Sequence, residues 1–264
     1  IVLLSRRPPE DSTAVDNLRR SKVRVTVAAC DVTDAASLKR VLDDIGEGAP
    51  LRAVFHCAGV LDDGVIPQQT EARVAAVLAP KVAGAVNLDR LTRTAPLDAF
   101  VLFSSASALL GSPGQSSYAA ANACIDALAI RRARAGLPAL SIGWGPWAGG
   151  GMAAGLSDLQ RARLTGQGLR MIPPDRGVRW LGEAMSQRVP YLAGVPFEAS
   201  ALRRAVLPLL TDLASASMAV DTALSETIAR LDPDERLARV QLILQGEVAA
   251  VLGTGDASSV PAQR

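Results

Sequence analysis

Histidine, lysine and aromatic residues are scarce in this chain of 264 residues, which holds one His, two Tyr, three Trp and four Phe. A single histidine, His56, excludes a histidine-based metal cluster, and no usual ligand spacing joins it to Cys30, Cys57 or Cys124. Three cysteines without paired spacing also exclude a disulfide framework. Two fall in predicted strands and one in a predicted helix, so they read as buried, reduced thiols. Only Lys22, Lys39 and Lys81 are lysines among the 28 basic residues. A net charge of +2, with 20% charged residues, makes no global field aimed at nucleic acid or membrane. There is no signal peptide and no run of 18 apolar residues. The expectation is a cytoplasmic protein with neither nucleic-acid nor membrane partners.

What is present is apolar and small: 49% hydrophobic residues, rich in Ala and Val, suited to helices packed closely on a sheet. Short apolar runs alternate with longer helical stretches. Strands are predicted at 1–4, 23–29, 51–57, 100–103, 139–143 and 191–195. Helices are predicted at 35–45, with a cap at Thr33 or Asp34, and at 70–78, 80–94, 115–135 and 176–187. Pro80 is placed in the first turn of its helix, and Gly136 stops the long one. The alternation implies an α/β fold with a doubly wound parallel sheet, Rossmann-like, whose ligands gather at the carboxyl ends of the strands. Beyond about residue 205 the pattern changes: 206–222 reads as a linker, and 223–264 as a helical appendage with stretches at 223–231 and 234–252.

The densest chemistry is Tyr118-Ala-Ala-Ala-Asn122, thirteen residues after Ser105 and preceded by Lys81. A phenol, a hydroxyl, an ammonium and an amide are the groups needed to protonate a carbonyl oxygen while hydride attacks its carbon. Tyr118 and Asn122, four apart, share one helix face. A free phenol has a pKa of about 10 and needs a nearby cation to relay protons at neutral pH, a role open to Lys81. Singly, each residue has an ordinary explanation: a half-buried helix Tyr, strand-end serines, a solvated Lys. Their joint arrangement in a parallel α/β fold favours a site.

Cofactor signals are partial. Ser5-Arg6-Arg7 follows the first strand, where an acidic residue favours NAD and Arg favours NADP; a solvated charge pair is the alternative. Asp31, beside Val32, is placed to accept from an adenine amine, and Ala58-Gly59 allows close backbone approach to a ribose. Gly145-Pro146-Trp147 and Gly149-Gly150-Gly151-Met152 suit a cofactor wall and a lid hinge, or ordinary loop punctuation. The Gly-rich strand–turn–helix that cradles a pyrophosphate has no counterpart here. The expectation is a chain truncated at its amino end, lacking a normally central first strand.

These motifs resemble the ketoreductase domain of modular polyketide synthases, a branch of the short-chain dehydrogenase/reductase superfamily. The resemblance covers residues 1–205 and rests on Ser5-Arg6-Arg7, Cys30-Asp31-Val32, His56-Cys57-Ala58-Gly59, Pro80-Lys81-Val82, Gly111-Ser112-Pro113-Gly114-Gln115, Tyr118 to Asn122, and Trp144 to Met152. Lys usually follows Tyr by four residues in the superfamily; in this branch Asn takes that place and Lys comes from upstream, as here. The resemblance implies NADPH-dependent reduction of a β-ketoacyl thioester borne on the phosphopantetheine arm of an acyl carrier protein domain, among other domains of one synthase. Tyr118 is then the proton donor, Lys81 lowers its pKa, Ser105 orients the ketone and Asn122 supports the network. Leu61-Asp62-Asp63 matches the motif of B-type domains, which give a D-configured hydroxyl; a polar turn is the alternative. Leu110 stands where A-type domains usually carry Trp. The stretch 234–252 resembles the lead into an acyl carrier domain. A non-catalytic fragment or scaffold is the rival reading.

Overall fold

The computed structural model describes residues 1–8, 12–21, 23–45, 50–149, 161, 164–165, 168–197 and 228–252. Its elements run β1 (Val2–Ser5), α1 (Thr13–Arg20), β2 (Thr26–Ala29), α2 (Ala35–Ile45) and β3 (Ala53–His56). There follow a 3-10 turn (Ile66–Gln68), α3 (Glu71–Leu78), a π-helical segment (Ala79–Ala83) and α4 (Gly84–Leu91). Then come β4 (Ala99–Ser105), α5 (Ser107–Leu110), α6 (Ser116–Arg134), β5 (Leu140–Trp144), α7 (Pro174–Ser186), β6 (Tyr191–Gly194) and α8 (Pro233–Leu252). The chain forms two compact units; one, Ile1–Trp144 with Asp175–Gly194, holds all six strands.

All strand pairs are parallel, as the alternating pattern requires. Among the described residues the parallel strands form two sheets, β1–β2, and β3–β4–β5–β6 in that order. β1 and β3 therefore each pair along one edge only. β4 lies in the middle of the larger core: Phe100, Val101 and Leu102 are all buried, the mark of a strand covered on both faces. Leu38, Ala85, Leu88, Ile125 and Ala129 from α2, α4 and α6 complete that core.

Helix starts follow their caps. Asp34, one of the two expected candidates, accepts from Ala36 N at 3.0 Å and Ser37 N at 3.1 Å, opening α2. Thr70 accepts from Arg73 N at 3.3 Å before α3. Gly136 follows α6 with φ +74°, a left-handed terminus that a side chain would disfavour. α3 and α4, however, are not separated by a break at Pro80. Leu78, Ala79, Ala83 and Gly84 all keep helical dihedrals, and the wider π turn absorbs the N–H that proline lacks.

Close packing sets where this bent helix lies. A Cβ at Gly84 would sit 2.7 Å from Val32 Cγ2 and 3.0 Å from His56 Cε1, so only glycine lets the helix reach the strand ends there. Of the three thiols, all free, Cys30 is buried but Cys57 and Cys124 are exposed, against expectation. Cys57 lies just past β3, and Cys124 falls between the inward positions Ala121, Asn122 and Ile125 on α6. In the second unit, Asp232 caps α8 by accepting from Asp234 N at 3.0 Å and Glu235 N at 2.9 Å. The expected boundary at 205 and linker 206–222 lie outside the described residues.

Candidate active site

Ser5, Asp31, Ala58 and Ser105 sit at or just beyond the carboxyl ends of β1, β2, β3 and β4, where a parallel sheet collects its ligands. Ser105 ends β4 opposite Trp144 and accepts from Ser107 N at 3.2 Å. Tyr118 and Asn122 follow on the first two turns of α6, buried, with Tyr118 in an apolar cluster of Val77 and Ala121 flanked by Leu61 and Val82. The Asn122 and Ser105 side chains favour the phenolate of Tyr118, yet burial outweighs them and pushes its pKa up.

Lys81 comes from the π segment and is buried. Its Nζ lies 5.6 Å from the centroid of the Tyr118 ring and donates to Phe103 O at 2.9 Å. Burial lowers its pKa to about 8, while the charges of Cys57 and Asp126 act upward. The expected lowering of the Tyr118 pKa by Lys81 is thus not seen: desolvation of the phenol dominates, and the ammonium is bonded to a carbonyl. Asn122 Nδ2 donates to Tyr118 O at 2.8 Å, not to Lys81, while its Oδ1 is buried without a partner. That orphan acceptor faces a cost that a donor from a bound molecule or water would remove.

His56 orients the π segment. A carbonyl can only accept, so His56 carries a proton on Nε2 and donates it to Lys81 O at 2.9 Å, a bond that the neutral and the charged ring can both make. Burial lowers its pKa to about 4, against the upward pull of the bond to Lys81 O, with the Lys81 charge adding a smaller push downward. The folded value lies below the unfolded one near 6.5, so stability is whole above pH 6.5 and is lost as pH falls toward 4. We expect this single imidazole to titrate near pH 4 by NMR. We also expect a loss of at most about 3 kcal/mol in urea unfolding across that window, absent in His56→Gln. A midpoint near 6.5 would refute it.

The Leu61-Asp62-Asp63 turn is bound onto the start of α6 by residues that sequence reading missed. Arg73 on α3 grips Asp62 with Nε at 2.9 Å and Nη2 at 2.5 Å, and donates to Asp63 O at 2.9 Å. That grip holds the Asp62 carboxyl below its ordinary pKa. Gln115 Nε2 donates to Asp63 Oδ2 at 3.0 Å, and Gly64 N donates to Gly114 O at 2.8 Å. Ser117 Oγ, one residue before Tyr118, donates to Gln69 at 2.8 Å. An Arg eleven residues after an Asp is visible in sequence, but nothing local says the two meet.

The cofactor candidates gather unevenly. Cys30 N donates to Ser5 O at 3.0 Å, tying the ends of β1 and β2, and Arg6 acts electrostatically on Asp31. Asp31 Oδ1 is occupied locally, accepting from Thr33 N at 2.9 Å and Thr33 Oγ1 at 2.8 Å, which lowers its pKa. Asn87, missed by sequence reading, holds Val32 O and Thr33 O at 3.0 Å each. A Cβ at Gly59 would meet Lys81 Cε at 3.0 Å, so glycine here lets the Lys81 side chain pack closely against the chain just past β3. Gly145, Pro146 and Trp147 belong to the second unit, where Ile172 N donates to Pro146 O at 2.7 Å and Trp147 bridges Ile172. Gly149 has φ +78°, while Gly150, Gly151 and Met152 lie outside the described residues. Among the described residues no group of acids, Cys and His could hold a metal ion, and no helix is long and apolar enough to cross a membrane.

This parallel arrangement is the fold of the short-chain dehydrogenase/reductases, a class built on nicotinamide cofactors. Within it, the chain belongs to the ketoreductase family: the profile described as "KR domain" matches residues 1–149. It is 41% identical, across all of its length, to the pikromycin polyketide synthase component PikAII of Streptomyces venezuelae. It is 42% identical over 82% of its length to the mycoketide-CoA synthase of Mycobacterium tuberculosis. The chain spans only 8% and 5% of these multidomain relatives. Among solved structures, it resembles an A-type ketoreductase from a modular polyketide synthase at TM-score 0.75 and 36% identity, covering 82% of this chain and 48% of that one. The first ketoreductase of the tylosin synthase aligns at TM-score 0.67 and 43% identity, over 75% and 43% of the two chains.

Proposed function

We propose that this chain is the catalytic segment of an NADPH-dependent β-ketoacyl reductase in the cytoplasm, within a larger polyketide synthase. Its substrate is a β-keto thioester on the phosphopantetheine arm of an acyl carrier domain, reduced to a D-configured 3-hydroxyl. The observation that carries this reading is the convergence of Ser105, Tyr118, Lys81 and Asn122 at the end of β4 and the start of α6, with the Lys81 ammonium 5.6 Å from the Tyr118 ring centroid. The nicotinamide supplies hydride when bound, and Ser5, Arg6, Asp31, Ala58 and Gly59 are the residues of the first unit that would hold it. Arg6 is the charge suited to a 2′-phosphate. Gly145, Pro146, Trp147 and Met152 remain candidates for a cofactor wall.

The chain's own part is proton delivery. Burial keeps Tyr118 as the phenol at neutral pH, the form that can donate. Ser105 and Tyr118 together aim two hydroxyls at one ketone oxygen. As the phenol gives up its proton, Lys81, charged at neutral pH and 5.6 Å from the ring centroid, stabilises the phenolate that develops. Asn122 braces the first turns of α6. The Asp62-Asp63 turn, clamped by Arg73 and Gln115 next to Tyr118, is the surface that sets which face of the ketone is presented.

The test is NADPH oxidation with a β-ketoacyl thioester mimic, with chiral analysis of the product, on this chain and on one extended upstream through a Gly-rich turn. A D-hydroxy product supports the full reading. An L-hydroxy product removes the B-type assignment but keeps the reductase, and a folded extended protein without turnover leaves a scaffold.

A further inference from the structure

α6 carries a third polar residue on the face of Tyr118 and Asn122. Asp126 lies four residues past Asn122 and eight past Tyr118, so the three stand in one row. Ser141 of β5, with no exposed surface, donates its hydroxyl to Asp126 Oδ1 at 2.5 Å. Ser104 of β4, buried beside Ser105, donates to Asn122 O at 3.5 Å and lies near enough to this carboxylate to favour its charged form. The residue before Ser104 is Phe103, whose carbonyl receives the Lys81 ammonium at 2.9 Å. Asp126 thus meets the site through a strand that also holds Lys81.

We infer that Asp126 is a positioning residue: anchored by Ser141 and Ser104, its carboxylate is the counter-charge that keeps Lys81 protonated beneath Tyr118 and Asn122. This rests on the proton-delivery role proposed above. Two charges act on Lys81, those of Cys57 and Asp126. Although Cys57 keeps exposed surface, desolvation around its sulfur pushes the thiol up to about 11, so it is neutral at pH 7, which leaves the Asp126 carboxyl as the acidic partner. Burial also raises the Asp126 carboxyl, while the two serine hydroxyls and Lys81 hold it toward the charged form.

The neighbouring groups leave the window clear. Lys81 is faced by His56 and Cys57 from β3 and its end, and by Tyr118 and Asp126 from α6. Asp126 is faced by Lys81 and by Tyr191 of β6, and Asp63 acts on Tyr118. His56 titrates at about 4 and Cys57 at about 11, and both phenols are pushed above their ordinary value. An ionisation near pH 8 among these groups is therefore that of Lys81.

Asp126→Asn removes the charge and keeps an acceptor for both serines. The chain has only three lysines, so 13C-labelling the lysine side chains and following them by NMR against pH reads Lys81 directly, with Lys81→Arg giving the assignment. In the full chain we expect a Lys81 midpoint near 8, lowered by roughly half a unit or more in Asp126→Asn and close to the parent in Asp126→Glu. The alkaline fall in ketone reduction should move down by the same amount, whereas a merely structural defect would lower the plateau without moving the limb. Ser141→Ala, which weakens the hold on the charged carboxylate, should lower the Lys81 midpoint by less, and serves if Asp126→Asn does not fold. An unmoved midpoint in a folded variant overturns the inference. A shifted midpoint in a chain that reduces no thioester supports the coupling and counts against the reductase reading.

Discussion

Tyr118→Phe is expected to lose about 100- to 10,000-fold in the rate of NADPH-linked ketone reduction, the scale of a positioned general acid. The substitution deletes one oxygen. Its ring still fills the cluster of Val77 and Ala121, so the melting temperature should stay within a few degrees of the parent. Because the phenol bonds to the ketone oxygen most strongly as charge develops there, the loss belongs in kcat more than in KM. Ser105 and Asn122 keep their bonds to Ser107 N and Tyr118 O, so the local backbone is not released. Steady-state kinetics beside a thermal melt give the answer. Retained turnover in a folded Tyr118→Phe protein would mean that another donor, such as water or Ser105, protonates the ketone.

The parts of the fold written in local pattern were legible, and those made by distant contacts were not. α2 spans 35–45 as expected because its cap and its periodicity lie within one stretch, and Gly136 ends α6 because a left-handed residue there favours glycine. The sheet's parallel sense followed from alternation, but its division into β1–β2 and β3–β6 depends on which edges meet. Pro80 stands in the first turn of its segment, as expected, but that this turn is π-helical and runs on from α3 without a break was not legible, because it goes with close packing around Lys81 and Gly84. The four polar residues of the candidate site could be named, since their types and order are distinctive. Their distant bonds could not: Lys81 to Phe103 O and Arg73 to Asp62 each join elements that spacing does not bring together, whereas Asn122 to Tyr118 O follows the four-residue spacing on α6.

Asp89→Ala is expected to destabilise the protein by about 3–5 kcal/mol, through a charge far from the chemistry. Asp89 on α4 is buried and accepts from Arg132 of α6 in a short contact and from Arg131 at 3.0 Å, with Arg93 at 3.6 Å. The Arg132 side chain is 1% exposed, lies 3.9 Å over the Phe100 ring and otherwise donates only to Pro138 O at 3.2 Å. A guanidinium cannot shed its proton to escape burial, so without Asp89 it stays charged in an apolar core or tears itself out of one. Arg131 and Arg93, at 65% and 53% exposure, turn to water at little cost. Pairing Asp89→Leu with Arg132→Met should recover most of the loss, since removing both charges leaves neither unpaired. Urea unfolding of the two single variants and the double variant closes the cycle; a single-variant loss below about 1 kcal/mol would show that Arg132 is solvated as well without its partner. α4 continues the bent helix that bears Lys81 and α6 bears Tyr118, so this pair clamps together, from below, the two helices whose far ends must hold an ammonium and a phenol in register.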